Sequence, residues 1–190
     1  MALKTEPRYC QNLYEVAAVV NSAQTIETVL HSIVESVAQE VRAKGCAAML
    51  LTPDRKHLYH TATYGLSDRY VTKGPVLADK SISEAMDGKP VAIFDATEDK
   101  RIQYREQARK EGIASILTVP ILLKGEVIGV MRVYSEKPRH FTNDDIYFIG
   151  IAANMGAIAL ENAVLSKTGS HGHDTFKQQL QELEWARWHE

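Results

Sequence analysis

Only two cysteines, Cys10 and Cys46, occur among the 190 residues, too few and too unlike in setting for a disulfide framework, and no Cys or Cys/His spacing suits zinc. Excess charge of one sign is also missing. A formal net charge of -2 lacks the basic surface by which a nucleic-acid binder or an anionic-membrane binder gains from counterion release. There is no uninterrupted apolar run of membrane-spanning length and no signal-peptide pattern after Met1, so a soluble cytoplasmic protein is expected. Catalytic signatures are absent too: no G-x-S-x-G elbow, Walker loop, H-E-x-x-H or dinucleotide fingerprint. His171 and His173 offer two ligands without a fixed third, which does not make a metal site. What remains is a chain with 45% hydrophobic residues, enough for one full core with appendages.

Ser115 to Ser135, SILTVPILLKGEVIGVMRVYS, is the most informative stretch. Two β-rich runs flank Lys124-Gly125, a tight turn in which glycine accepts a positive φ, and together they predict an antiparallel hairpin. Counting outward from Leu123 opposite Glu126 places Val119 opposite Val130, Leu117 opposite Arg132 and Ser115 opposite Tyr134. On this count one face carries Leu117, Val119, Arg132 and Tyr134, and the other carries small and apolar residues fit to lie under a helix. A face holding a guanidinium and a phenol within an apolar sheet is how a small-molecule pocket begins.

Upstream, Leu13 to Val20 marks a first short helix. Ile26, Val29, Leu30, Ile33, Val34, Val37, Ala38 and Val41 then follow helical spacing up to Gly45. Strands are expected over 46–51 and 58–64, joined by a turn at Pro53 to Lys56. Gly65 to Asp79 reads mostly as loop. Ser81 and Glu84 have capping-box spacing for a helix from about Ile82 to Gly88. Pro90 to Phe94 is extended, Asp99 to Glu111 a polar surface helix, and Thr142 or Asn143 caps a long helix from about Asp144 to Leu165. The order predicts an α+β fold: an antiparallel sheet with terminal helices packed on one face and a helix-bearing insertion, about 65–111, covering a pocket on the other. By domain, 1–10 is an N-terminal extension, 11–165 the folded unit, 166–175 a flexible linker and 176–190 a short C-terminal helix with Trp185 and Trp188 as anchors.

The run Val119-Pro120-Ile121, then Lys124-Gly125-Glu126-Val127-Ile128-Gly129-Val130, then Phe141-Thr142 before an acidic pair, resembles the GAF domain, a family of regulatory sensor modules. The resemblance extends from about Leu13 to Leu165. It implies the architecture more narrowly than the function, because GAF domains bind different ligands or none. The GAF-like free methionine sulfoxide reductases depend on several cysteines around the pocket, a set not reproduced here, and the bilin-attachment cysteine has no counterpart between Asp95 and Gly112. A haem-binding member would need an axial histidine, for which His57 and His60 stay open. Of the cyclic-nucleotide signature, Lys137, Phe141 and Asp145 match. Ser135-Glu136 stand in place of the asparagine and Ile146 in place of the final glutamate.

The expected ligand-binding residues are Tyr64, Ile82, Met86, Phe94, Leu117, Arg132 and Tyr134. Arg132 could hold an anion by a bidentate contact or pair with a local carboxylate. Tyr64 and Tyr134 could stack on a ring or fill the strands. Amides near Ile82 could face an anion, unless Ser81 and Glu84 satisfy them. Met86 and Phe94 could line the pocket or belong to the core. The expectation is a non-enzymatic sensor for a small polar or anionic molecule, with no cofactor named, that signals through its terminal helices. The alternative is a ligand-free dimerisation module. Ile149, Ala152, Ala153 and Gly156 form one packing face of the last helix, and Ile151, Met155, Ile158 and Leu165 continue apolar character around it, which predicts a homodimer. With no output domain visible, a separate output protein is expected.

Overall fold

The computed structural model describes residues 17–18, 25–79 and 82–168. The first three residues of the expected 166–175 linker are helical, since the last helix runs on to Thr168 rather than stopping at Leu165; the rest of the linker, the tail helix, and the first helix apart from Ala17 and Ala18 lie outside the described residues.

Helix α1 (Ile26–Glu40) starts at Thr25, whose hydroxyl accepts a hydrogen bond from the Thr28 amide at 3.4 Å, and buries Val29, Leu30, Ile33, Val34, Val37 and Ala38. It ends earlier than Gly45 would have it. Arg42 takes the left-handed conformation at φ 50°, and the Ala43 amide reaches back to the Ala38 carbonyl at 2.8 Å, closing the helix without a glycine. Gly45 instead opens β1 (Gly45–Leu51), where a β-carbon would collide with the Tyr64 carbonyl across the ladder to β2 (His57–Tyr64). The 65–79 stretch is more ordered than a loop. It holds a one-turn helix, α2 (Asp68–Val71), capped by the Ser67 hydroxyl, and a short strand β3 (Val76–Leu77).

Helix α3 (Ser83–Met86) and strand β4 (Val91–Ile93) follow, with Ile82 at the helix cap; Ser81 lies outside the described residues. The polar helix expected from Asp99 begins only at Arg105. Asp99 accepts the Arg101 amide and side chain and holds a turn, leaving α4 (Arg105–Glu111), which stops at Gly112 with φ 73°. Strands β5 (Ser115–Leu123) and β6 (Glu126–Ser135) form the predicted hairpin, and α5 (Asn143–Thr168) closes the described chain. Thr142 caps α5: its hydroxyl accepts the Asp145 amide at 3.1 Å, and Asp145 accepts the Thr142 amide at 2.8 Å.

The six strands run β3-β2-β1-β6-β5-β4, and every pairing is antiparallel. One face, with Cys46, Ala48, Leu50, Val119, Ile121, Met131 and Val133, packs on α1 and α5. The other, with Ala47, Met49, Leu58, Val130 and Tyr134, is covered by the insertion through Tyr70, Ile82, Ala85, Ile102, Ala108 and Ile113. The α+β layering expected from the sequence is therefore the observed one. By length and composition Asn143–Ala163 could also cross a membrane. Here it buries Phe148, Ile149, Ala152 and Ala153 in the helix-side core.

The hairpin register departs from the simple count. Leu123 does pair with Glu126 and Leu122 with Val127, but Ile121 pairs with Gly129, so Ile128 is an extra residue in β6. Beyond that bulge every pairing slips by one: Thr118, not Leu117, faces Arg132, and Ile116, not Ser115, faces Tyr134. Gly129 permits the close approach, since a β-carbon there would collide with the Met49 carbonyl of β1. Because strand side chains alternate, the slip sends Leu117 to the opposite face from Arg132.

Candidate functional site

The bulge assembles one polar row across an otherwise apolar sheet. Thr63 of β2, Ala47 of β1, Arg132 of β6 and Thr118 of β5 stand opposite one another on the insertion side. Arg132 is only 4% exposed, and its Nε donates to the Thr118 hydroxyl at 3.2 Å. The adjacent Tyr134 is buried, and Tyr70 of α2 meets its ring edge-on with centroids 5.7 Å apart.

A second cation comes from the insertion. Lys73, just past α2, places Nζ 3.6 Å above the centre of the Tyr70 ring, donates to the Tyr70 carbonyl at 2.8 Å, and lies 3.2 Å from Nε2 of His60 on β2. A second bulge, in the β1–β2 ladder, sets His60 there: Ala48 pairs with Ala62 while Met49 pairs with His60, so the intervening Thr61 is extra and His60 faces the insertion. The Nδ1 of His60 is buried without a hydrogen-bond partner among the described residues.

Burial lowers the Lys73 ammonium to a pKa of about 7, with the Arg132 charge adding to the effect and Glu111 opposing it. The same causes, burial first and then the charges of Lys73 and Arg132, drive His60 down to about 3. Burial raises the Tyr134 phenol to about 12 against the pull of Arg132, and it raises Tyr70 further still. The site thus holds a desolvated cation, an amine at the edge of neutrality and a neutral imidazole, a set that favours an anion. An open groove of about 730 Å³ between α1, β2 and α2 runs up to His60 and Thr63, lined also by Glu27, Thr28, His31 and Thr72.

The residues expected from sequence divide. Arg132, Tyr134 and Ile82 lie on the insertion side, as anticipated, with Ile82 fully buried in that core. Met86 packs on its margin and lines a separate groove of about 540 Å³ with Leu122, Gly125 and Val127, near the hairpin turn. Leu117 belongs to the helix-side core because of the β6 bulge, and Tyr64, paired with Cys46 beyond the β2 bulge, packs there too. Neither can touch a ligand beside Arg132. Phe94 does not point inward. Val91 and Ile93 take the inward positions of β4, and Phe94 follows the opposite alternation, 48% exposed and stacked on His140 at 4.4 Å. The amides near Ile82 open a helix of a single turn and gain no side-chain cap.

Sequence reasoning misses Lys73, Tyr70 and Thr118 and reaches His60 only as a haem ligand. Lys73 lies in a stretch that reads as loop, and nothing in its spacing signals burial. Cys46 is wholly buried, and burial keeps its thiol protonated. Among the described residues no group of three or more His, Cys, Asp or Glu side chains could hold a metal.

A family model described as the GAF domain matches residues 25–160. The chain is 23% identical over 177 residues to a Nif-specific regulatory protein of Azospirillum brasilense, covering 88% of this chain and 28% of that one. It is 24% identical over 165 residues to a methyl sulfide methyltransferase-associated sensor of Methanosarcina acetivorans, covering 83% of this chain and 16% of that one. It therefore spans under a third of the length of either relative. Among solved structures, the GAF domain of a phosphoenolpyruvate-protein phosphotransferase from Coxiella burnetii superposes with a TM-score of 0.72 at 21% identity, over 86% of this chain and 97% of that one.

Proposed function

The chain belongs to the GAF domain family, and on that premise we propose that it is a sensory domain whose insertion-side face binds a small anionic molecule between Arg132 and Lys73. The observation that carries this reading is the convergence of a guanidinium and a near-neutral amine on one covered sheet face, the first hydrogen-bonded to Thr118 and the second stacked on Tyr70. Burial holds Lys73 near neutrality, with the Arg132 charge adding to it, and a ligand carboxylate or phosphate there would offset both by supplying the opposite charge.

Transmission to the terminal helices has a physical route. The Tyr134 carbonyl accepts the Lys44 amide at 2.8 Å, and beyond β6 Arg139 donates both to the Val41 carbonyl, at the end of α1, and to both oxygens of Asp145, in the first turn of α5, at 3.0 Å each. A shift of β6 around Arg132 is thereby shared with the C-terminus of α1 and the N-terminus of α5.

A second reading has its own observation. Tyr147, Ile151 and Ile158 on α5 are 72%, 46% and 50% exposed, an apolar stripe at helical spacing that suits a two-fold partner. It describes a dimerisation module that needs no ligand and is compatible with the first reading. Thermal-shift measurements with glycolate, phosphate and sulfate separate them. At least one anion should stabilise the wild type and lose that effect in Arg132→Met, which keeps the buried volume. Equal shifts in both proteins, or none in either, would leave only the dimerisation reading.

A further inference from the structure

The reading of the insertion face as an anion site leaves the chemistry of Lys73 unused. Lys73 differs from the lysines at the surface. Lys124 and Lys44 reach Glu161 and Glu136 through salt bridges at 2.6 and 3.7 Å. The Lys73 amine instead is held by the Tyr70 carbonyl, the Tyr70 ring and His60 Nε2. The groups that face it from the surrounding elements are His60 on β2, Arg132 on β6, the Tyr104 ring at 5.7 Å ahead of α4, and Glu111 of α4, which bonds the Ser67 amide and hydroxyl.

The imidazole favours the free amine. If Nζ were an ammonium donating to Nε2, the proton of neutral His60 would sit on Nδ1, a buried N–H with no acceptor among the described residues. With a neutral amine, Nε2–H donates to the Nζ lone pair and Nδ1 is left as a bare acceptor. Buried orphan donors are the rarer and costlier of the two. This agrees with the pKa of about 7 that burial, Arg132 and Glu111 together set for the amine.

We infer that Lys73 is a nucleophile that captures a small aldehyde or ketone bearing a carboxylate or phosphate as a reversible imine, with Arg132 holding the anionic end and His60 passing the proton. The Nζ lone pair attacks the carbonyl carbon as the C–O π pair moves to oxygen. Nε2–H of His60, released from the Nζ lone pair as the carbonyl arrives, gives its proton to that oxygen, and the proton shed by nitrogen takes its place on Nε2, giving a carbinolamine. Protonation of its hydroxyl releases water and leaves a C=N bond, protonated as the iminium. The sum is amine plus carbonyl plus one proton giving iminium plus water, with no oxidant or reductant, and hydrolysis reverses it. The cation returns to the site once the anion is there to face it. A ligand so held would stay on a sensor far longer than one bound by a salt bridge alone.

The inference rests on the anion-site reading, and glyoxylate with its non-carbonyl analogue glycolate separates the two. The full chain is incubated with glyoxylate and cyanoborohydride, which reduces only the iminium, and is then mapped by peptide mass spectrometry. One carboxymethyl group on Lys73 is expected, formed more than about tenfold faster than on the average surface lysine near pH 7, because an ordinary lysine with a pKa of about 10.4 offers very little free amine there. Its rate should level off above about pH 7 while the surface lysines keep accelerating. Glycolate should protect Lys73 and no other lysine, a comparison made within the wild type, and Lys73→Arg should carry no adduct at that position. Labelling of Lys73 at the same rate as the surface lysines overturns the inference. If glycolate nevertheless stabilises the wild type and not Arg132→Met, the anion site stands without imine chemistry; if glycolate, phosphate and sulfate all have no effect either, both readings fall.

Discussion

Lys73→Met should change how stability depends on pH, and by an amount set by the desolvation of the amine. In the folded protein the amine falls from its ordinary 10.5 to about 7, with burial the leading cause and Arg132 the second. Between those two values the unfolded chain keeps the proton that the folded chain releases, so folding grows more favourable as pH rises. Below about pH 7 both states are protonated and the cost of burying the cation is borne in full; above about 10.5 neither is, and the cost has gone. Taken at face value the gap is worth about 5 kcal/mol at about 1.4 kcal/mol per pKa unit, but Lys73 is only partly buried, and solvent relaxation reduces this to about 1–2 kcal/mol. Urea unfolding at about pH 7.5 and about pH 9.5 reads the difference directly. Wild type should gain about 0.6–1.1 kcal/mol over that interval, which covers only part of the gap, relative to Lys73→Met, or roughly 1–4 °C in Tm, because the other titrating groups are common to both proteins and cancel. Parallel pH profiles for the two proteins would mean that Lys73 is solvated and carries an ordinary charge. The site would then lose its near-neutral amine.

Asp145→Asn should destabilise by about 2–4 kcal/mol, since it leaves Arg139 facing a neutral group where Asp145 is only 2% exposed. Burial alone would raise the Asp145 pKa, but the Thr142 amide and hydroxyl and Arg139 outweigh it and hold it low. The wild-type advantage over Asp145→Asn should therefore fade as pH drops through the carboxylate range, as read by chemical denaturation, because the other lowered carboxylates, Asp54, Asp95 and Asp99, are common to both proteins. Replacing Ile151 and Ile158 together by Asp should give a monomer by sedimentation with an unchanged far-ultraviolet circular dichroism spectrum, because both side chains are about half exposed and the core face of α5 is untouched. A dimer mass that survives the double substitution would take the interface off this stripe.

What the sequence determined by itself was local or periodic. The apolar spacing from Ile26 to Val41 makes α1 amphipathic whatever surrounds it, and Lys124-Gly125, at φ 51° and 84°, suits a tight hairpin turn before any tertiary contact forms. Alternation within the strands and the order of elements then lead to a two-faced sheet with helices on one side, and the charged Arg132 inside an apolar strand marks that strand as part of a site. The remaining details depended on contacts between distant residues. The extra residue at Ile128 is invisible to a count outward from the turn; it exists because β1 packs against Gly129 closely enough to exclude a β-carbon, and it alone reverses the faces of Leu117 and Thr118 relative to Arg132. Thr61 does the same to Tyr64 and His60 on β2. Phe94 leaves the pocket because β4 spends its inward positions on Val91 and Ile93. Lys73 is a surface-type residue in a stretch with no pattern of its own, and it becomes a near-neutral amine only when α2 folds back to set it between Tyr70, His60 and the field of Arg132. A side chain's chemistry there is set by solvent exclusion and by charges from other elements, and neither is carried by its neighbours along the chain.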